Sequence, residues 1–364
     1  MTKVLSNVLE SAGFRIGNTY DRKVLEAAKL FADGFSGRSH TATALLKEAF
    51  TTSDFPSLLG EAFEREARAA YREVTDETAA IARRETVVDF RPKKLMELFG
   101  ETYFERVNEG EEYKSDNPFK DTEIEFRAEK FGRNYGLTWE RWLNGDFSAL
   151  ADFPGILGRG GANTRNREVY RHFIGADGTL NGSFFAETGT AGLGFESLKA
   201  AKQAAIEADN YRGDGSVDTS TLVLVVPPAL EDTATAITQV RTVRETTVEG
   251  DVTRQIERSN TLAGITVQVS REFNRQLATG IRNSAWALVP GAATENPALI
   301  LASLAGHPDV DIRTKRDQGD RVGGGSIGYE EGSFDNDTIW YRGRSVLGTA
   351  AAFGQGTYAS TGAA

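Results

Sequence analysis

Residues 87–175 constrain this chain more than any other stretch, because they alternate and turn like a pair of strands yet carry little that could fill a core of their own. Ile124, Phe126 and Ala128 alternate with Glu123, Glu125, Arg127 and Glu129, the period of two expected of a half-exposed strand. Upstream, Val87, Val88 and Phe90 run into Pro92, which donates no ladder hydrogen bond and therefore predicts an edge or protruding strand. The connecting VNEGEEYKSDNPFK is rich in the Gly, Asp, Asn and Pro that turns select. A long hairpin with little core of its own is the expectation. A helix should follow, opening at Asn144-Gly145-Asp146 and covering residues 146–174. Phe147, Leu150, Phe153 and Leu157 make one apolar stripe, and Val169, Tyr170 and Phe173 make another after the Gly160-Gly161 pair. Pro154 sits in the first turns, where its missing N–H costs least. At full length such a helix extends ~40 Å and suits the backbone of a flat subunit.

The segments on either side follow different periods. Before the hairpin, LEAAKLFADG ends at a glycine, TALLKEAF ends near Thr51, and Pro56 opens a third helical run after Ser53 and Asp54. Within that run Leu59, Phe63, Ala67, Ala70 and Val74 share one helix face, with Glu61, Glu64, Arg65, Arg68 and Arg72 opposite. Short helices of this kind bury little by themselves and must pack on something else. From Thr190 onward helix and strand alternate: GFESLKAAKQAAIEAD is helical, STLVLVVPPAL is a β-branched run ended by two prolines, and ALEDTATAITQV is helical again. GITVQVS, SAWALVP, VDIRTK and a closing DTIWYRGRSVLGTAAAF add strands, the last with strand character on both sides of Gly343. The pattern is α+β, without the regular βαβ repeat of a doubly wound enzyme.

Composition narrows the chemistry. With 364 residues, the chain is long enough for one or two domains. It has no cysteine, which removes disulfides, thiolate nucleophiles and cysteine-held metal or iron–sulfur sites. The start MTKVLSNVLESAG lacks the apolar core of a secretory signal, and no segment reaches the apolar length that spans a bilayer, so a cytoplasmic product without a membrane partner is expected. The formal net charge is −10, with 42 basic residues scattered among 52 acidic ones. That disfavours a protein that reads nucleic-acid sequence through a basic face, but it is compatible with a wall that encloses nucleic acid.

The catalytic inventory is thin. His40, His172 and His307 stand far apart in sequence without carboxylates at ligand spacing, so no metal and no imidazole acid–base pair is expected. No Gly-Lys pair occurs, which excludes the G-x-x-x-x-G-K-[ST] phosphate-binding loop of nucleoside triphosphatases, and the glycine-rich residues 189–194 and 321–328 lack dinucleotide spacing. Glu109, Glu111 and Glu112 read as a solvated tip rather than a carboxylate pair for acid–base work. Arg159, Arg165, Arg167 and Arg171 could meet phosphates or acidic neighbours, or form ordinary ion pairs along the helix. The Arg212-Gly213-Asp214 tripeptide is too short to carry information. No catalytic residue and no cofactor is assigned.

Taken in order, DFP at residues 54–56, VDFRPKKL at 88–95, EGEEYK at 109–114, KFGRNYGLTWERWLNGD at 130–146 and ALADFPGILGRGGANTRNREVY at 149–170 resemble the major capsid proteins of tailed bacteriophages. The closest flavour is that of the Mu-like and protease-fused capsid families, which share the Hong Kong 97-type shell fold. LVLVVPPALEDTA at 222–234 and IWYRGRSVLGTAAAF at 339–353 look like an axial-domain strand and the final strands of that group. The resemblance covers residues 54–355 and rests on the order and spacing of these segments.

The resemblance implies a layout. Residues 1–83 would be a helical N-terminal arm, and 84–138 an extended hairpin loop lying over the adjacent subunit. Residues 139–190 and 307–364 would form a peripheral domain with its spine helix at 146–174, and 191–306 an axial domain around the capsomer centre. Hairpin contacts between subunits would fall to Arg91, Lys93, Lys94, Glu109, Glu111, Glu112, Lys114 and Lys120, and the spine would carry Phe153, Leu157, Arg165, Arg167 and Tyr170. Some relatives join subunits covalently through a loop lysine and a neighbour's asparagine, for which Lys93, Lys94, Lys114 and Lys120 are candidates here. The implied partners are many copies of the chain as pentamers and hexamers, packaged double-stranded DNA held non-specifically, and scaffold, portal and decoration proteins. The implied location is the virion capsid after synthesis in the bacterial host cytoplasm, with a neutral or acidic luminal face. An encapsulin-like nanocompartment and a soluble enzyme with an unread site are the alternative classes.

Overall fold

The computed structural model describes residues 19–35, 45, 55–98, 106–113, 119–138, 140, 153–211, 215–249, 252–307, 309–315, 322 and 335–362. In chain order the first half contains α1 (Thr19–Phe35), α2 (Phe55–Glu73), β1 (Ala82–Val87), β2 (Lys93–Leu98), β3 (Phe119–Phe126), β4 (Glu129–Thr138) and α3 (Phe153–Tyr170). Next come β5 (Glu187–Gly189), α4 (Phe195–Glu207), β6 (Leu222–Val226), α5 (Glu231–Gln239), β7 (Thr242–Glu249), β8 (Val252–Ser259) and β9 (Thr266–Val269). The chain ends with α6 (Arg271–Gln276), β10 (Trp286–Pro290), β11 (Leu299–Leu304), β12 (Asp311–Thr314), β13 (Thr338–Ala351) and β14 (Tyr358–Ser360). The expected α+β content is therefore present. Two compact units divide the chain: Met1–Thr75, Glu129–Arg165 and Leu304–Leu347 form the first, and Asp76–Ala128, Asn166–Ser303 and Gly348–Ala364 the second.

In the first unit, β4 and β12 flank β13, both antiparallel to it. Ten consecutive residues of β4 pair with β13, from Thr138 opposite Thr338 to Glu129 opposite Leu347. One face of this sheet carries the core. Phe63 of α2, Phe153 of α3 and Tyr341 of β13 meet with ring centroids 5.1–6.3 Å apart, and Ala67, Leu157, Ala162, Val310, Ile312 and Ile339 fill in around them. The α2 face predicted from spacing is the one that packs here, so the partner of this helix lies within the chain, while TALLKEAF lies outside the described residues apart from residue 45. Arg65 on the opposite side binds Asp21 of α1 at 2.9 Å and Glu61 at 2.5 Å.

A close helix crossing explains the glycines of α3. A Cβ at Gly158 would lie 2.1 Å from the Ala67 carbonyl oxygen, and one at Gly161 would lie 2.3 Å from Val310 Cγ2. Glycine weakens a helix by roughly 0.5–1 kcal/mol relative to alanine, and at these two positions it admits α2 and the chain at Val310 to near-backbone contact. The described helix is Phe153–Tyr170, followed by a 3₁₀ turn at Arg171–Phe173; residues 146–152, including Phe147 and Leu150, lie outside the described residues. Pro154 takes its second position.

The second unit holds a five-stranded sheet in the order β5-β14-β10-β6-β9. The β14/β5 and β6/β9 pairs are parallel, and β10 is antiparallel to both β14 and β6. Every residue of β6 and β10 is buried, as their continuous apolar runs require. Leu198, Ala201 and Ala205 of α4 pack on Leu224, Trp286 and Leu288. A second aromatic group joins Tyr170, Phe173, Phe184, Phe185 and Phe273 at centroid separations of 4.9–6.2 Å. Glu77 ties the start of this unit to α6. Its carboxylate accepts hydrogen bonds from Ser270 Oγ at 2.5 Å and from the N–H groups of Arg271 and Glu272 at 3.4 and 3.3 Å.

Three local expectations change. The first hairpin strand lies after Pro92, not before it: β1 ends at Val87, residues 88–91 bend, and β2 begins at Lys93. A proline at the junction ends one ladder without interrupting the other. The first helix starts at Thr19, well before Leu25, and runs through Gly34 to Phe35. Finally, the charged residues of β7 and β8, unassigned from sequence, pair along their whole lengths as a two-stranded ribbon.

Candidate assembly surface

The β2/β3 hairpin also forms a two-stranded sheet of its own, with an irregularity between Lys94 and Met96. Its base is anchored by buried Leu95, Phe126 and Ala128, and Lys93 Nζ lies 5.6 Å from the Phe126 ring centre and 3.9 Å from the Glu85 carboxylate. The bend before it is open: Val88 is 84% exposed, and Arg91 is exposed with its N–H donating to the Asp89 carboxylate at 3.1 Å. Lys94 is exposed and stands opposite Glu125 in the register, while Lys120 stands opposite Glu97. Lys114 lies outside the described residues.

Between the strands, residues 108–113 form a structured turn. The Glu111 N–H donates to the Asn108 carbonyl at 3.1 Å, and the Glu111 carboxylate accepts from the Asn108 N–H at 3.2 Å and Nδ2 at 3.0 Å. Gly110 turns the chain at φ +86°, a left-handed conformation that glycine adopts at no steric cost. Glu109, Glu111 and Glu112 are exposed, and Tyr113 beside them is 86% exposed.

Four of the five helix residues singled out for the spine face inward. Phe153 and Leu157 belong to the core of the first unit. Arg165 is buried, with its guanidinium 5.1 Å from the Tyr71 ring centre and Nη1 donating to the Tyr71 hydroxyl at 3.3 Å. Tyr170 is fully buried and donates to the Glu77 carbonyl at 2.8 Å, and that burial pushes its phenol far above the ordinary range. Arg167 is exposed, and its carbonyl accepts from Gln276 Nε2 at 3.0 Å. Arg159 is exposed, and Arg171 pairs with Glu168 at 3.5 Å.

A surface not anticipated from the sequence lies on the open face of the first unit's sheet. Ile339, Tyr341 and Gly343 of β13 face the helices, so Trp340, Arg342 and Arg344 take the other side. The register sets Asn134, Arg342 and Arg313 in one row across three strands, and Gly136, Trp340 and Lys315 in the next. Gly132 and Gly136 add no side chains on β4, and the Trp340 ring lies against Gly136, where a Cβ would come within 3.1 Å of it. The result is a groove of about 560 Å³ lined by Asn134, Arg313, Lys315, Trp340 and Arg342. Asp311 is bonded by Arg344 and by Arg313, the latter at 3.0 Å. Arg342 is exposed and has no ion pair among the described residues, and it stands directly opposite Arg313, a like-charge arrangement that destabilises a sheet. The signal for this face was the alternation of aromatic and basic residues with apolar ones in IWYRGRS and IRTK.

His172 is half-buried, with Nε2 at 3.0 Å from Thr349 Oγ1; burial first and the Arg171 charge second lower its pKa. His307 is exposed, and His40 and the Arg212-Gly213-Asp214 tripeptide lie outside the described residues. In the glycine-rich residues 189–194, Gly189 ends β5 and Gly194 precedes α4, where its N–H donates to Ser197 Oγ at 2.9 Å. Of residues 321–328 only Val322 is described. Among the described residues no group of three or more His, Asp or Glu is placed to hold a metal ion, and no helix is long and apolar enough to cross a membrane.

Two hairpins paired only within themselves, an exposed acidic turn and a cation-lined sheet face are surfaces open to contact. Residues 121–360, more than half of the chain, match the family described as phage capsid protein. The chain belongs to the phage capsid protein family and serves as a structural subunit of a phage shell. It is similar to a solved structure from Gordonia phage Cozz at 14% identity, covering 77% of this chain and 84% of that one, with a TM-score of 0.43. It is also similar to one from Mycobacterium phage Bobi at 10% identity, covering 79% and 90% with a TM-score of 0.44. The asymmetric unit of the bacteriophage PhiM1 mature capsid is similar at 8% identity, covering 77% and 84% with a TM-score of 0.43. No curated protein sequence matches significantly.

Proposed function

We propose that this chain is the major head protein of a tailed phage and works by assembly, not turnover. Many copies join as pentamers and hexamers into an icosahedral Hong Kong 97-type shell around double-stranded DNA, which is held without sequence preference. The observation that carries the reading is the family match, and the open hairpin and charged sheet face supply surfaces for it. In this reading residues 84–138 are the extended loop reaching an adjacent subunit, and residues 1–83 are the N-terminal arm. Residues 139–190 and 307–364 form the peripheral domain, and 191–306 the axial domain. Lys93, Lys94, Lys114 and Lys120 set register against acidic neighbours more than they set affinity, since charge complementarity aligns partners more than it binds them. Closed symmetry multiplies such modest contacts, because each added subunit meets several partners at high effective concentration. The protein is made in the bacterial host cytoplasm and resides in the virion capsid, with scaffold, portal and decoration proteins as further partners.

Negative-stain imaging of the expressed full-length protein tests this directly. Shells or ring-shaped capsomers are expected, and nucleic acid recovered from purified particles separates a genome container from a compartment for protein cargo. A chain that stays monomeric at every concentration would remove the proposal.

A further inference from the structure

We infer that the groove on the open β4-β13-β12 face receives the acidic turn at residues 108–113 of a second copy. The inference rests on the proposal that the chain self-assembles. The groove's chemistry asks for an anion: Arg342 and Arg313 stand opposite each other, and Asp311, which is bonded by both Arg313 and Arg344, leaves Arg342 without an acid among the described residues. Its shape asks for something larger than a single ion, because about 560 Å³ opens beside the Trp340 ring over a floor of glycines.

The exposed turn has the matching chemistry. Asn108 holds the Glu111 carboxylate within the turn, which leaves Glu109 and Glu112 exposed with Tyr113 beside them. Two carboxylates can meet the Arg342–Arg313–Lys315 cations while the Tyr113 ring lies against Trp340, an aromatic pair that adds to the charge attraction. Because the turn is already hydrogen-bonded, little ordering entropy opposes docking. Packaged nucleic acid could also use an arginine-lined groove with an aromatic wall, but charge complementarity within one self-assembling chain favours the turn.

Two measurements test the docking. In the first, 14N- and 15N-labelled full-length chains are mixed and treated with a carbodiimide that joins amines to carboxylates without a spacer. Mixed-isotope links between Lys315 and Glu109 or Glu112 are expected whether or not closed shells form, and their absence overturns the inference. In the second, Arg342→Glu and Glu112→Arg are each expected to lower shell yield at least ~10-fold at physiological salt, and the double variant to recover most of it. Arg342→Glu should leave subunit thermal stability unchanged or raised, because it removes a like-charge pair, so lost yield cannot be read as lost folding. Wild-type yield in both single variants, or Arg342→Glu shells that form normally but lose DNA, overturns docking by the turn while leaving the shell assignment intact. Absence of wild-type particles together with absence of mixed links would instead remove the assembly reading itself.

Discussion

Gly158 and Gly160 lie two residues apart on α3, and alanine at each should move stability in opposite directions. At Gly160 nothing lies within 4 Å of the position a methyl group would take, so Gly160→Ala adds helix propensity and restricts the unfolded chain, a gain of roughly 0.4–1 kcal/mol. At Gly158 the same methyl would sit 2.1 Å from the Ala67 carbonyl oxygen, whereas ordinary contact begins at 3.4 Å, so α2 must retreat by the difference of 1.3 Å. Backbone cannot rotate out of the way as a side chain can. Overpacking of this kind costs about 1–3 kcal/mol, and a retreat of α2 also loosens Phe63 and Ala67 against Leu157 and Ala162. After the propensity gain of about 1 kcal/mol, Gly158→Ala should destabilise the first unit by up to about 2 kcal/mol.

A chain with two compact units need not unfold in one step, so the assay should be local. Native-state hydrogen exchange by mass spectrometry, on peptides covering residues 55–73 and 153–165 in unassembled subunits, reads the opening free energy of α2 and α3. Faster exchange in Gly158→Ala and slower exchange in Gly160→Ala is the expected pair. Equal shifts in the same direction would refute the close crossing.

Two further outcomes are expected. Glu77→Gln removes the charge from the group that accepts hydrogen bonds at the start of α6 and should weaken protection of residues 270–276 by about 1–2 kcal/mol, again read by hydrogen exchange. His172 is held neutral, its folded pKa lying below the ordinary 6.5, so the unfolded chain binds the proton more readily. Stability should therefore be fully present above pH 6.5 and fall as pH drops from there towards the folded pKa; His172→Gln should flatten that part of a urea-denaturation profile, and an unchanged slope would dismiss the buried imidazole as its cause.

What could be read from the sequence is what a single side-chain period determines. The buried face of α2 follows from residues three and four apart, and the alternation from Ile124 to Ala128 appears in the burial of Phe126 and Ala128 beside exposed Glu125 and Arg127. The crossing at Gly158 was not legible, because glycine in a helix reads as weakness until the oxygen of Ala67, 91 positions earlier, is seen to need the space. The hairpin was legible as a hairpin but not in register, since residues on both sides of Pro92 carry similar strand character and only pairing decides which side joins β3. Spacing also could not tell buried Arg165 from exposed Arg159 and Arg167, because a guanidinium stacked on Tyr71 leaves no trace in the local pattern.

The strand β13 shows why the groove is hard to read from the sequence. Its odd-numbered residues Ile339 and Tyr341 complete a core, and its even-numbered Trp340 and Arg342 line the groove, so one alternating strand serves both a core and a groove. A sequence reader sees the apolar half of that alternation as the signal and the other half as solvated filler. The register decides otherwise, because pairing with β12 and β4 brings Arg313, Lys315 and Asn134 from distant segments to the same side as Arg342. A sheet selected for stability alone would gain by replacing one arginine of the Arg313–Arg342 pair with an acid. Keeping two cations opposite each other is an energetic cost to the isolated subunit, and an incoming carboxylate would remove it on contact. That sign difference makes Arg342→Glu informative: the substitution that relaxes the free subunit is the one expected to disarm the shell.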